Sequence, residues 1–235
     1  DLHSFPTRRS SDLHIAIARL MAGLAACALP PTCCLCDAPG GRDLRGFPLD
    51  LCGICSELLP TNPNPHAGAL IGVDGAFVPY LYRYPVHHLI RRLKFGGVRI
   101  HGRLLGQLLA AAVASERRPS PQALVPIPLH LARFRQRGFN QAHDIARYVG
   151  CTLGLPLEAN VLARVNQTRE QSGLTLAERR VNVRGAFAIA RAPRATHVAL
   201  VDDVFTTGCT ASEAARALKR GGVRRVELWA VARTV

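Results

Sequence analysis

Two adjacent carboxylates followed at once by a hydroxyl-rich turn carry the most specific chemistry in this chain. Residues 198–210 read Val-Ala-Leu-Val-Asp-Asp-Val-Phe-Thr-Thr-Gly-Cys-Thr. An apolar run leads into Asp202 and Asp203, and an amphipathic pattern continues over 211–221, so the segment reads as buried strand, turn and helix. Thr206, Thr207, Gly208, Cys209 and Thr210 then fall at a helix N-terminus, where amides without intrahelical partners and the helix dipole favour an anion. A phosphate suits that turn. The acids at the strand end can accept hydrogen bonds from vicinal hydroxyls of a sugar carrying the phosphate. A plainer reading, compatible with the first, makes Thr210 an N-cap with Glu213 completing a capping box. Cys209 is a thiol at a helix start, a setting that favours oxidation.

The second chemical signal is Cys33-x₂-Cys36 and Cys52-x₂-Cys55, separated by fifteen residues that include Gly40, Gly41 and Gly46. This is the paired-knuckle spacing of a four-thiolate zinc site, in which each pair turns back so that two sulfurs reach one ion. Four protein ligands leave no open position, so the expected Zn²⁺ is structural and holds together a segment with few apolar residues. Cys34 is the spare, because Cys34-x-Cys36 spaces two sulfurs poorly. Disulfides or idle thiols are the alternatives. Cys27 and Cys151 are expected to be small buried residues.

The elements that must position these groups alternate. Strand character over 77–84 and 123–127, near 186–190, at the acid pair and over 226–232 is interleaved with helical patterns over 86–95, 102–115 and from about 130 to 148. Such alternation predicts an α/β fold with a parallel sheet and right-handed crossovers. Loops at the carboxyl ends of parallel strands face the ligand crevice, so the segment after Pro126-Ile-Pro128 brings Arg133, Arg137, Asn140 and Gln141 within reach of a pyrophosphate. The long polar stretch 164–187, with Arg164, Arg169, Gln171 and Arg179, reads as a mobile lid. Both segments also fit solvated helix faces and a surface loop. His87, His88 and His130 are weak proton-transfer candidates and are read as packing or surface groups.

Domain organisation follows from composition shifts. Residues 1–13 join no periodic pattern and resemble translated adapter sequence, a non-native tail. A lead-in helix is expected over 14–30, too short for a membrane span, then a zinc-ribbon module over 31–58, a Pro/Asn-rich linker over 59–76, and the main domain over 77–235. Leu24-Ala-Ala-Cys27 superficially matches a lipoprotein cleavage box, but thiolate metal sites favour a reducing, cytoplasmic setting. The formal charge of +14 points to a polyanionic partner. That inference is discounted, because the bases are spread along the chain with little aromatic interleaving and only Lys94 and Lys219 among the 30 are lysines.

The acid-pair segment resembles the phosphoribosyl pyrophosphate (PRPP) signature of type I phosphoribosyltransferases. The resemblance implies that Asp202 and Asp203 hold the ribose 2′- and 3′-hydroxyls and that residues 206–210 wrap the 5′-phosphate. Cys209 stands where a small residue is usual, a mild departure. From about residue 30 onward the chain resembles the ComF family, through the paired Cys-x₂-Cys, Leu93-Lys-Phe95, Pro126-x-Pro128, the run Arg137-Gly-Phe-Asn-Gln141, the segment from Gln171 to Asn182, and the PRPP signature. That family joins an N-terminal zinc ribbon to a type I phosphoribosyltransferase-like domain and is associated with competence and uptake of transforming DNA. The implied reaction displaces pyrophosphate from C1 of PRPP, with Mg²⁺ bridging ribose and pyrophosphate oxygens, and transfers phosphoribosyl to a nucleobase or similar acceptor. The alternative is a non-catalytic PRPP- or nucleotide-binding module that grips single-stranded DNA alongside other competence proteins. A Rossmann-type nucleotide binder is disfavoured, because no Gly-x-Gly-x-x-Gly follows an expected strand.

Overall fold

The computed structural model describes residues 30–66, 70–116, 119–165 and 183–234. The expected tail and nearly all of the lead-in helix, Cys27 included, lie outside the described residues. These residues form two compact units that part after Leu58.

The first unit has little regular structure. Strands β1 (Gly41–Arg42) and β2 (Pro48–Leu49) pair antiparallel, and α1 (Gly53–Glu57) follows. The turn between the strands is held by Asp43, whose Oδ1 accepts from the amides of Arg45 and Phe47 at 2.9 Å each. Around the first cysteine pair the backbone folds back, with Cys33 N–H donating to Ala38 O at 2.7 Å and Asp37 N–H to Cys33 O at 2.9 Å. Leu51 is the one large aliphatic side chain buried among the described residues of this unit.

In the second unit all principal strand pairs are parallel. The order is β3 (Gly75–Phe77), β9 (Arg225–Arg233), β8 (His197–Phe205), β5 (Ala123–Pro126), with β4 (Tyr80–Leu81) also pairing β9. Of the strand 77–84 expected from sequence, Phe77 ends β3, Tyr80–Leu81 form β4, and residues 82–84 are not strand. Strands β6 (Leu162–Arg164) and β7 (Phe187–Ile189) form a separate antiparallel pair. Residues 60–66, read from sequence as linker, lie along the sheet: Asn62 Nδ2 donates to Val78 O at 2.8 Å and Leu81 N–H to Pro60 O at 2.7 Å.

Helices cover both faces because successive residues of β8 and β9 point to opposite sides. Val198, Leu200, Val226 and Leu228 join one core with Ala211, Ala214, Ala215 and Leu218 of α6 (Cys209–Arg220). Ala199, Val201, Trp229 and Val231 are equally buried on the other side. There α3 (Ile100–Ala114) packs against α5 (Gln141–Leu153) and β9, and α5 against β5 and β8. The helix pair approaches closely at Gly106, where a Cβ would stand 2.7 Å from Ile145 O. The remaining helices are α2 (Val86–Gly96) and α4 (Leu131–Arg137).

One long helix was expected from about 130 to 148. The structure has two, because Gly138 takes the left-handed region (φ +81°) as the C-cap of α4, and Asn140 restarts the chain as the N-cap of α5. Cys151 is exposed, contrary to the buried expectation, since it falls on the outward side of α5's last turns.

Candidate functional site

The sulfurs of Cys33, Cys36, Cys52 and Cys55 lie within 4.8 Å of one another, a geometry that can hold a zinc ion. They are the only such group of metal-ligating side chains among the described residues. Each pair is shaped by backbone amides. Cys55 N–H points to Cys52 Sγ at 3.4 Å. Burial works against ionising Cys33, but hydrogen bonds from the backbones of Cys52, Leu35 and Cys36 outweigh it and bring the thiol down to about 6. Cys34 stays apart. Burial, then the charges of Cys33 and Asp50, push its thiol up to about 11, which suits the neutral spare cysteine expected from spacing.

In the second unit the carboxyl ends of β8 and β9 open on a crevice of about 330 Å³. Asp202, Asp203, Thr206, Gly208 and Thr210 line it, joined by Arg133 and Gln141 from the segment after β5 and by Arg164 at the end of β6. Elements far apart in sequence therefore converge on the acid pair. Gly208 caps α6 at φ +75°, and a Cβ there would lie 2.6 Å from Leu70 Cδ2, so both backbone and packing require glycine. The helix begins at Cys209, so Thr210 is already inside the first turn and is not the N-cap. No side chain caps this end. Glu213 instead bonds Arg216 and the amide of Gly185. The capping box expected from sequence is absent because the turn closes one residue earlier on a left-handed glycine.

The other candidates are placed less directly. Thr207 donates to Cys209 Sγ at 3.2 Å, and Cys209 is buried. Asn140 caps α5 through Ala142 N–H and donates to Ile127 O at 3.0 Å, so its side chain braces the segment after β5. Arg137 donates to Gln141 Oε1 at 2.6 Å, holding that crevice residue. Arg169, Gln171 and Arg179 lie outside the described residues. His130 caps α4, while His87 sits edge-on to Tyr82 and Tyr84 and His88 lies tilted against Tyr84.

Sequence reasoning missed the base of the acid pair. Lys94, from the last turn of α2, forms an ion pair with Asp203, and both line the crevice. Burial raises both aspartates, and for Asp202 the neighbouring charge of Asp203 adds to it, so its carboxyl stays well above the usual carboxylate range. For Asp203 the Lys94 ammonium outweighs burial and holds the carboxyl below that range. One acid is thus anchored as a carboxylate and its neighbour titrates high. The available clue was that Lys94 is one of two lysines in an arginine-rich chain. At the rim, burial and then the charge of Arg133 press the Arg164 guanidinium below its ordinary value, a crowding of cations that an anion relieves.

Three arginines lie against aromatic rings, two of them some forty positions away in sequence and one next to its ring in the chain. The guanidinium of Arg137 lies 5.6 Å from the Phe95 ring centroid, Arg99 5.5 Å from Phe139, and Arg147 4.5 Å from Tyr148. Among the described residues no helix is long and apolar enough to cross a membrane.

Fold and site together define a parallel-sheet α/β protein whose acid-floored, cation-rimmed crevice shares a chain with a four-thiolate cluster. The chain is 32% identical over 203 residues to Competence protein F of Haemophilus influenzae, covering 82% of this chain and 87% of that protein. It is 33% identical over 158 residues to the DNA utilization protein YhgH of Salmonella typhi and 32% identical to that of Escherichia coli strain K12, in each case across 66% of this chain and 70% of the relative. No protein-family model matches the chain. The chain belongs to the ComF family.

Proposed function

We propose that the crevice binds PRPP and that the protein is a cytoplasmic phosphoribosyltransferase-like member of its family, acting in competence or DNA uptake. The observation that carries this reading is the convergence on one crevice of the acid pair, the uncapped start of α6 and the cations Arg133 and Arg164. In this reading Asp202 accepts from the ribose diol, the amides and hydroxyls at 206–210 take the 5′-phosphate, and Arg133 and Arg164 face the pyrophosphate. The C1–O bond to pyrophosphate breaks, its electron pair leaving with the departing group. A nitrogen of a nucleobase acceptor then forms the new bond at C1 and releases its proton. The arginines stabilise charge that grows on the leaving group in the transition state.

The test is titration calorimetry with PRPP, followed by pyrophosphate release with a panel of bases, comparing wild type with Asp202→Ala. Binding and release that fall at least about tenfold in the variant support the reading. Absence of PRPP binding to zinc-loaded wild type removes it.

A second reading is favoured by Arg137 of α4 beside the exposed ring of Phe95 on α2 and by Arg147 beside Tyr148 on α5, which offer cationic and stacking surface to single-stranded DNA. In it the crevice binds a phosphate-bearing ligand without turnover. The names of the relatives, which refer to competence and DNA utilization, support this setting. Affinity for a DNA oligonucleotide should then fall steeply with salt and drop on Phe95→Ala/Arg147→Ala. A salt slope near zero rejects it.

A further inference from the structure

The acids of the crevice differ in surroundings because they differ in direction. On β8, Val198 and Leu200 face the α6 core, and strand alternation sends Asp202 to that side, beside the start of α6. Asp203 points to the opposite side, where Lys94 reaches it from α2. Its side chain is 4% exposed and that of Lys94 20%, so the ion pair is closed to bulk water on one side and opens to the crevice on the other.

This arrangement bears on the metal ion that the family resemblance implies. A magnesium ion demands near-octahedral oxygen ligands at about 2.0–2.1 Å and gives up its waters reluctantly. The crevice supplies two carboxylates, and an ammonium already occupies Oδ2 of Asp203. Asp202 Oδ1 accepts the Asp203 amide at 2.9 Å. The lining also carries Lys94, Arg133 and Arg164 against Asp202 and Asp203, an excess of positive charge that repels a free dication and attracts an anion. The residues present therefore do not fit a protein-held magnesium ion.

We propose that Lys94 is the resident counter-cation of the acid pair, occupying the position at Asp203 that a divalent ion would need, so that the sugar-phosphate end of a ligand binds here without a metal ion held by the protein. The sugar-phosphate half of this statement rests on the PRPP reading; the metal half stands on the ion pair alone. Lys94 is a positioning residue: it orients Asp203 and keeps a dication away, leaving Asp202 as the acid presented to the ligand's hydroxyls. A divalent ion then arrives only when carried by the ligand's own pyrophosphate oxygens.

Two probes test the two halves separately, both on zinc-loaded full-length protein in buffer freed of other divalent metals. Manganese titration of the ligand-free protein, followed by water-proton relaxation, should reveal no site sensitive to Asp202→Asn in wild type. Lys94→Met should gain a manganese site that is lost again in Lys94→Met/Asp202→Asn. A wild-type site removed by Asp202→Asn overturns the proposal, as does a folded Lys94→Met protein that gains none. Lys94→Gln, which keeps a donor toward Asp203 without charge, replaces it where the methionine variant does not fold. Ribose 5-phosphate is the second probe, and its affinity should change by less than about twofold when magnesium is added. A gain of about tenfold or more overturns the sugar-phosphate half. Failure of ribose 5-phosphate and PRPP to bind at all removes the PRPP reading, and the manganese result still decides what Lys94 does.

Discussion

The two units of this chain hold together by different means. Among its described residues the first unit buries one large aliphatic, Leu51, and gathers four sulfurs within 4.8 Å, whereas the second packs both faces of a parallel sheet with Leu, Ile and Val side chains excluded from water. Burial of each such side chain contributes about 1.5–3 kcal/mol, and the second unit has many of them. The first does not, so a zinc ion held by its four sulfurs would couple metal binding to folding there. The lesson is that a module too small for a core can be specified by four residues, while a core needs dozens that each matter less.

That contrast is sharpest under metal removal. Structural zinc in comparable modules contributes about 10–16 kcal/mol of apparent binding free energy, so chelation or Cys36→Ser should unfold residues 31–58 and leave the thermal transition of the second unit in place. Limited proteolysis with circular dichroism reads both. Equal loss of structure in the two units would break the comparison.

Inside the second unit the crevice acids differ as well: an ammonium anchors Asp203, while Asp202 accepts a backbone amide. Asp203→Asn leaves the Lys94 ammonium without its carboxylate and should cost about 3–5 kcal/mol in urea denaturation. Leu200→Ala, a pure packing change, should cost about 2–5 kcal/mol with zinc affinity unchanged.

Asp202 should behave oppositely. Its proton affinity is raised in the folded state, first by burial, so the native protein holds a proton that the unfolded chain releases, and stability falls as pH rises above the ordinary aspartate value toward the raised one. Asp202→Asn removes that loss. Its melting temperature should exceed wild type at neutral pH and vary less as pH rises from the ordinary aspartate range. An unchanged pH profile would count against the high-titrating acid.

The smallest effect belongs to the surface pair of Lys219 and Asp74, 2.7 Å apart and partly exposed. Lys219→Met should cost no more than about 1 kcal/mol, and less in high salt.

How much of this was legible beforehand varies with sequence distance. The cysteine spacing and the strand–acid–turn–helix segment are local signals, and the parallel α/β class follows from alternating periodicity. Reading 130–148 as one helix failed at Gly138 because apolar spacing continues across a residue whose left-handed backbone ends the helix. The capping box at Thr210 failed for the same kind of reason, since Gly208 closes the turn first. Asn140 looked like a ligand contact from its neighbours in sequence, yet its amide serves two backbone groups.

Spacing alone therefore determined the thiolate cluster, the acid pair beside its hydroxyl-rich turn, and the alternation of strand and helix, because each depends on residues a few positions apart and on the fixed periods of the backbone. Tertiary structure alone decided that Lys94 answers Asp203 and not Asp202, that Arg133 and Arg164 meet at one rim, and that Arg99 and Arg137 settle over aromatic rings. Those choices join residues tens to more than a hundred positions apart. Only the register and handed packing of the sheet bring them within reach, and the charge balance of the crevice exists only once they have arrived.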